Sequence, residues 1–262
     1  MHETRNKTVS PLIVIVGETA SGKTALGIEL AKRFDGEIIC ADSRTVYKGM
    51  DIGTAKPTSA EQAIVPHHLL DIVTPDQQFT VADFQRLATG AIDDITRRGK
   101  LPIMVGGSGL YVDAVIYQYA FSSPTQARDP KNPRHLAAEA RRADTSLRPH
   151  TLIIGLESNR ETLTERINKR VDAMVQAGLV EETRTLLAQY RGSKALDATG
   201  YKAFAQYIAG DIDIDAAKAI FVRNDLGLAK RQRTWFKRNK SIHWVNNSSD
   251  AVELTTTFLD NL

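Results

Sequence analysis

Cysteine and long apolar segments are almost absent from this chain. Cys40 is the only cysteine in 262 residues, which excludes an intramolecular disulfide, and no Cys/His cluster predicts structural zinc. No apolar run is long enough to span a membrane, and residues 1–10 are polar, without a signal-peptide core. The net charge is only +3. We therefore expect a cytoplasmic protein without a membrane partner, in which Cys40 is a small buried side chain at a strand end.

The chain is organised around one glycine-bounded loop, residues 17–24, with the sequence GETASGKT. An apolar run, 12–16, comes before this loop and an amphipathic run, 25–34, comes after it. Strand, glycine-bounded loop and helix in this order are the context of a phosphate-binding P-loop. Every residue of the loop is therefore a candidate for binding a diphosphate or a nucleotide: Gly17, Glu18, Thr19, Ala20, Ser21, Gly22, Lys23 and Thr24.

The chemistry of the loop follows from its residue types. Gly17 and Gly22 permit backbone turns that aim several N–H groups inward, and the N-terminus of the following helix adds positive charge. Lys23 supplies a cation for phosphate oxygens, and Thr24 supplies an oxygen for Mg²⁺. The motif predicts binding of a polyphosphate and does not specify the reaction.

Apolar runs alternate with helical patterns along the rest of the chain. The runs predict strands that are buried on both faces, as in a parallel sheet covered by helices. The fold class is therefore predicted as α/β, a P-loop NTPase-like parallel sheet with helices on both faces. Strands are predicted at 12–16, 37–41, 101–105, 151–156 and 241–245; helices are predicted at 25–34, 80–98, 110–119, 160–177, 180–190 and 215–238, the last capped by Asp215.

The segment 121–150 differs in character from the sequence on either side. Four prolines interrupt it and five arginines are spread along it, which indicates a linker with one short helix at 134–143. We expect residues 1–120 and 151–262 to form the catalytic core, and residues 121–150 to form a linker or a truncated insertion.

Asp42 is the first candidate for chemistry outside the P-loop. It follows the predicted strand 37–41, and loops that leave the carboxyl ends of parallel strands line the ligand crevice of an α/β sheet. Asp42 should therefore lie beside the P-loop. By its residue type it could equally cap a turn, and both interpretations stay open at this point. A second glycine loop, 106–109, should form another wall of the crevice.

A basic segment lies near the end of the chain. Residues 223–240 contain seven Lys or Arg and one acid, with Trp235 and Phe236 among them. A basic helix with aromatic residues is typical of nucleic-acid binding, although the two aromatic side chains are explained better by packing in the core.

Several segments together resemble the tRNA dimethylallyltransferase family, also called IPP transferases. The resemblance covers nearly the whole chain, and its most specific block is Asp51–Pro57, with the sequence DIGTAKP. The other matching segments are 17–26, 42–43, 46–50, 66–72, 105–111, 165–167, 170–174, 200–202, 229–232 and 234–236.

This resemblance implies an activity and roles for individual residues. The enzymes of this family transfer a dimethylallyl group from dimethylallyl diphosphate to N6 of adenosine 37, beside the tRNA anticodon, and use Mg²⁺. By resemblance, Asp42 is the general base, and Thr19, Lys23 and Arg170 act on the diphosphate, with Thr24 as the metal ligand. Residues implied to lie near the tRNA anticodon stem-loop are Asp42, Ser43, Arg44, Thr45, Ser108, Gly200, Tyr201 and Lys202.

The chain departs from the family pattern in several places. Glu18 stands where the family usually has Pro, and we expect its side chain to point outward. Arg44 and Thr45 replace a pair that usually ends in Gln, and Leu226 replaces a usual Arg, for which Arg223 is a candidate substitute. The segment 121–150 is much shorter than the family's helical insertion, so we expect a short form that lacks most of the tRNA-binding insertion and works as a monomer.

Other functions stay open on the sequence. The short insertion favours an adenylate isopentenyltransferase acting on free AMP, ADP or ATP, and the basic segment 223–240 opposes it. A P-loop kinase would account for residues 17–24 but not for Asp51–Pro57. A non-catalytic RNA-binding protein would not need Lys23, Thr24, Asp42 and Arg170 together.

Overall fold

The central sheet is built from the apolar runs of the sequence. The computed structural model describes residues 9–121, 141–142 and 146–262. Its strands are β1 Leu12–Gly17, β2 Gly36–Cys40, β3 His67–His68, β4 Leu101–Gly106, β5 Tyr119–Ala120, β6 Arg141–Arg142, β7 Thr151–Leu156 and β8 Ile242–Val245. Six of them form one sheet in the order β3-β2-β4-β1-β7-β8, and every pair in it is parallel. The strands β5 and β6 form a separate antiparallel pair.

Helices cover both faces of the sheet. They are α1 Lys23–Arg33, α2 Ser59–Ile64, α3 Val81–Arg97, α4 Gly109–Ile116, α5 Arg160–Gln176, α6 Leu179–Gln189, α7 Thr199–Ala209, α8 Ile214–Phe236 and α9 Ser248–Asp260. Along β1, Val14 and Val16 face one core with α3 and α4, whereas Ile13 and Ile15 face another with α1 and α9. This alternation follows from the pleat of a strand. The predicted α/β fold class is confirmed.

A third core lies beyond the sheet, where α5, α6, α7 and α8 pack together around Tyr201, Phe204 and Phe221. These helices therefore form a layer next to the carboxyl ends of the strands. Across the described residues, no helix is both long and apolar enough to cross a membrane.

The predicted helix at 134–143 is wrong where it can be compared, because Arg141 and Arg142 are in strand β6. The rest of that prediction lies outside the described residues, as do most of residues 121–150. The helix predicted at 110–119 ends at Ile116.

One prediction near the end of the chain also needed correction, and one helix there was missed. The cap of α8 is Asp213, whose side chain accepts from the Ala216 N–H at 2.7 Å, and not Asp215. Asp213 and Asp215 could each cap a helix by residue type, and the cap is the one that directly precedes the first helical residue, Ile214. Helix α9 was not predicted.

Cys40 is the last residue of β2 and is buried, as expected, and burial raises the pKa of its thiol.

A buried carboxylate ties β2 to the neighbouring elements. Glu37 is 4% exposed and accepts from both terminal nitrogens of Arg98, which directly follows α3, and from His68 Nε2 at 2.7 Å. Hydrogen bonds from Arg98 lower the pKa of Glu37 to about 2, although burial alone would raise it. The charged form of Glu37 is therefore built into the fold.

Acid should weaken this protein partly through Glu37. Its folded pKa of about 2 lies below the ordinary 4.5, so its contribution is present above pH 4.5 and is lost as pH falls toward 2. The shift corresponds to at most about 3 kcal/mol. Urea unfolding should show Glu37→Gln much less stable than wild type at neutral pH, with the gap closing in acid. Asp35→Asn, a substitution of an exposed carboxylate, serves as control. If the stability difference between wild type and Glu37→Gln did not change with pH, Glu37 would not be the group responsible.

Candidate diphosphate and acceptor site

The predicted P-loop is present between β1 and α1. Gly17 ends β1, and a Cβ there would lie 3.0 Å from the Leu156 carbonyl oxygen. Gly22 has a φ of 97°, in the left-handed region, immediately before α1 starts at Lys23. A side chain is disfavoured at both positions, which is why glycines bound the loop. The sequence prediction of strand, loop and helix is confirmed.

Lys23 is a partly buried cation. Its Nζ donates to the Glu18 carbonyl oxygen, which holds the side chain back over the loop. Burial lowers the pKa of Lys23 to about 8; the charges of Asp42 and Glu18 raise it, and that of Arg170 lowers it further. An additional anion in the loop would favour the protonated form.

A cavity of about 820 Å³ opens beside the loop, at the carboxyl ends of the strands. It has the position in which α/β sheets bind ligands. Of the residues singled out in the sequence, those lining it are Thr19, Ala20, Gly22, Lys23, Thr24, Asp42, Ser43, Arg44, Thr45, Ser108 and Arg170. Gly17, Glu18, Ser21, Gly200, Tyr201 and Lys202 are not among the lining residues.

Asp42 lies beside the P-loop because β2 and β1 run in the same direction in one sheet. Its Oδ1 accepts from the Arg44 N–H at 2.8 Å, so it does hold a local turn as well as facing the cavity. The neighbouring Ser43 N–H donates to Ser108 Oγ at 2.9 Å. This bond joins the loop after β2 to the loop after β4, so the glycine loop 106–109 forms a second wall, as expected.

Two residues that follow Asp42 are also part of the cavity wall. Arg44 donates from NH1 to the carbonyl oxygens of Lys194 and Ala195, at 3.3 and 3.0 Å. Thr45 is 5% exposed, and its buried Oγ1 has no hydrogen-bond partner within the described part of the chain. Arg44 therefore links this wall to the turn before α7.

Arg170, on α5, reaches the cavity from the opposite side. Its NH2 donates to Asp225 Oδ2, and Thr199 Oγ1 donates to Asp225 Oδ1 at 2.7 Å. Asp225 is 2% exposed. Because a buried carboxylate needs compensation, Arg170 and Thr199 together account for its presence in the core.

The expectation that Glu18 points outward was wrong. Glu18 is 5% exposed and pairs with Arg233 through Nε at 2.8 Å and NH2 at 2.9 Å. Arg233 lies on α8 and also donates to the Ser158 carbonyl oxygen at 3.0 Å. A cation from a distant helix thus neutralises the acid, which a reading of the loop alone could not reveal.

Gly200, Tyr201 and Lys202 lie in the first turn of α7 and away from the cavity. Tyr201 is 1% exposed, and a Cβ on Gly53 would lie 2.6 Å from its ring. The Tyr201 OH donates to Glu182 Oε1 at 2.7 Å. Tyr201 therefore packs under the Asp51–Pro57 block instead of being exposed to a partner, whereas Lys202 is exposed.

Glu182 anchors that block. Its carboxylate accepts from the backbone N–H groups of Asp51, Ile52 and Gly53 at 3.2, 2.8 and 2.9 Å, in addition to Tyr201. A fixed anion fills this nest of N–H groups. The block lines one side of the cavity, so Glu182 supports the site without reaching it.

The basic segment 223–240 serves several purposes. Phe236 is buried, and Trp235 donates to Asp113 Oδ2 at 3.1 Å with the Arg238 guanidinium 4.4 Å above its ring. The two aromatics therefore pack, as the sequence favoured. Arg231 lines the cavity, so part of the positive charge faces it.

Gln232 was missed as a site residue. Its Oε1 accepts from the Thr19 N–H at 2.7 Å, and its Nε2 donates to the Gly107 carbonyl oxygen at 3.1 Å. A usable signal was present, because Asp225, Ala229, Gln232 and Phe236 follow one stripe of α8 that is buried. Polar residues within an apolar stripe indicate specific partners.

The fold and the cavity define a P-loop protein whose phosphate loop faces a carboxylate, Asp42, across one crevice. The family model for IPP transferases matches residues 45–147 and 131–239, which is well over half of the chain. The chain therefore belongs to the IPP transferase family.

Individual relatives agree with the family match. A tRNA dimethylallyltransferase from Exiguobacterium sp. is 41% identical, covering 94% of this chain and 93% of the relative. One from Oceanobacillus iheyensis is 39% identical over 95% of each. The crystal structure of the full-length tRNA isopentenylpyrophosphate transferase from Bacillus halodurans superposes with a TM-score of 0.82 at 37% identity, covering 96% of each chain.

The length of one alignment bears on the expected short insertion. The match to the Exiguobacterium relative runs over 291 positions, although this chain has only 262 residues. That relative therefore carries residues for which this chain has no counterpart, as expected for a short form.

Glu182→Gln should destabilise the Asp51–Pro57 block. Loss of the negative charge weakens four hydrogen bonds, so we expect a loss of about 2 kcal/mol and faster hydrogen exchange at the amides of Asp51, Ile52 and Gly53. The neighbouring Glu181→Gln removes only an exposed pair with Arg184 and should cost under about 1 kcal/mol. Equal effects of the two substitutions would show that the nest is unimportant.

Proposed function

We propose that this protein transfers a dimethylallyl group from dimethylallyl diphosphate to N6 of adenosine 37 in tRNA and releases diphosphate. The observation that carries the proposal is that Lys23, Asp42 and Arg170 line one cavity, beside a P-loop and beneath a family-specific block, Asp51–Pro57. A single site of this kind can hold an anionic leaving group on one side and a base on the other.

The acceptor side of the reaction falls to Asp42. The adenine N6 amine is a weak nucleophile, because its lone pair is delocalised into the ring. As the N6–C1 bond forms, the amine becomes more acidic and its proton passes to the Asp42 carboxylate, which acts as general base. The base must leave its stack to reach Asp42, since this carboxylate lies at the cavity wall and not on an open surface.

The donor side falls to the P-loop and Arg170. The C1–O bond breaks, and its electron pair leaves with the diphosphate. Thr19 and Lys23 of the loop line the cavity together with Arg170, and we propose that they stabilise the developing negative charge. The guanidinium of Arg170 matches phosphate oxygens in shape.

Thr24 is the proposed metal ligand. It is the second residue of α1 and lines the cavity next to Lys23. Mg²⁺ typically takes one or two protein oxygens together with substrate phosphates and water, so a single hydroxyl beside the diphosphate position fits it. Bound there, Mg²⁺ would supply further charge stabilisation to the leaving group.

The acceptor is proposed to be tRNA and not free adenylate. Ser43, Arg44, Thr45 and Ser108 surround Asp42, where they can contact the anticodon loop, and Arg231 adds positive charge at the cavity. We propose residues 1–120 and 151–262 as the catalytic core, with the short segment 121–150 contributing little grip on the anticodon stem. We further propose that the protein acts as a monomer in the cytoplasm.

Asp42→Asn should abolish transfer while sparing donor binding. Asparagine keeps an oxygen for the Arg44 N–H but cannot take a proton, so turnover should fall about 10²–10⁴-fold. Transfer is measured with unmodified tRNA and separately with AMP, and donor affinity by calorimetry. Near-normal turnover in the variant would refute the base assignment, and product on AMP alone would identify the adenylate enzyme.

Donor binding should weaken at alkaline pH because of Lys23. Its pKa in the free protein is about 8, so the charged form dominates below that pH and is lost above it. Affinity for dimethylallyl diphosphate, whose phosphates are already ionised at that pH, should fall about tenfold per pH unit above 8, with proton uptake on binding. Calorimetry in two buffers of different ionisation enthalpy measures the uptake.

The matched control for that titration is Lys23→Met, which has no proton to take up at this position. It should bind the donor weakly at every pH and without the uptake. If the wild type takes up no proton above pH 8, Lys23 does not contact the diphosphate.

A further inference from the structure

The buried acid Asp225 forms a hydrogen bond with Arg170, the arginine proposed to bind the diphosphate. Asp225 lies on α8, is 2% exposed, and uses one oxygen for Arg170 on α5 and the other for Thr199 on α7. Three helices thus meet at one carboxylate, next to the cavity that all three residues line. No role was predicted for Asp225 or Thr199 from the sequence.

Arg170 is only partly used by this contact. Its NH2 is bound to Asp225, whereas its Nε is buried and has no hydrogen-bond partner among the described residues. A buried donor without a partner is costly unless a ligand satisfies it. With NH2 bound to Asp225 and Nε buried, the terminal nitrogen NH1 is the free edge that this cavity-lining side chain, which is 23% exposed, has left for a ligand.

Without the hydrogen bond to Asp225, Arg170 would be poorly oriented for binding an anion. The side chain has many rotamers, and binding through a planar fork requires one orientation. With NH2 held by Asp225, the guanidinium plane is set before any ligand arrives. Asp225 is itself held by Thr199, whose backbone is fixed as the first residue of α7.

We infer that Asp225, oriented by Thr199, is a positioning residue that presents the free edge of Arg170 to the diphosphate. The inference rests on the proposed function, because it takes the cavity ligand to be a diphosphate. In this role Asp225 increases the affinity for an anion although its own charge is negative.

The sign of the effect on pyrophosphate affinity tests this inference. By Coulomb attraction alone, removing a nearby acid should strengthen binding of an anion. If Asp225 acts by positioning, Asp225→Asn and Asp225→Ala should instead weaken binding of inorganic pyrophosphate with Mg²⁺ by about 10–100-fold, the range typical of residues that orient a ligand-binding group. In turnover, KM for the donor should rise while KM for tRNA stays unchanged.

Thr199→Val gives a second variant with no change of charge. It removes one hydrogen bond to Asp225 and keeps the side-chain shape, so pyrophosphate affinity should fall about three- to tenfold. This variant carries the test if removal of the acid prevents folding.

A double-mutant cycle separates positioning from general stability. In an Arg170→Ala background, Asp225→Ala should change pyrophosphate affinity by about twofold or less, because the residue it positions is gone. Asp172→Ala is the matched control: it breaks an ion pair with Lys218 that joins the same two helices, α5 and α8, at the surface. It should leave pyrophosphate affinity unchanged.

The outcomes are distinguishable. If wild type binds pyrophosphate and the Asp225 and Thr199 variants bind it as well or better, the inference is overturned and the proposed function stands. Equal weakening by Asp225→Ala with and without Arg170 overturns it as well. If wild type does not bind pyrophosphate at all, the proposed function and this inference fall together.

Discussion

The cavity and the P-loop depend on balancing three cations against acids from other parts of the chain. Arg170 is held by Asp225, Arg233 by Glu18, and Lys23 feels the charge of Asp42. Without these acids, the cations would repel one another in a partly buried space. The pKa of Lys23 reflects these opposing effects: burial and the charge of Arg170 lower it, the charges of Asp42 and Glu18 raise it, and the result is about 8.

Helix α8 carries most of this arrangement. Through Asp225, Gln232 and Arg233 it contacts Arg170, the P-loop backbone and Glu18 in turn. The same helix buries Phe221 and Phe236 in two different cores. One rigid element therefore sets the distance between the phosphate loop and the arginine opposite it. The Asp51–Pro57 block is held separately, by Glu182 on α6.

Much of the fold could be predicted from local pattern. The strands β1, β2, β4 and β7 are largely apolar runs. Gly17 and Gly22 bound a loop whose positive φ angles few other residues adopt. The cavity-lining position of Asp42 followed from the rule for parallel strands. Glu18 was misjudged because its burial depends on Arg233, more than 200 residues away in the chain. Tyr201, which the resemblance placed near the tRNA, is buried against Glu182, 19 residues away.

The sequence by itself determined the P-loop, the parallel α/β sheet and the position of Asp42 beside the loop, because these depend on residues close together in the chain and on periodicity. The tertiary structure alone decided which charges meet. Hydrogen bonds from Arg170 and Thr199 to Asp225, or from the P-loop Thr19 N–H to Gln232, join residues on different helices and loops, and their partners are set by how those elements pack. Periodicity can show that such a polar residue is buried, but only packing determines what it contacts.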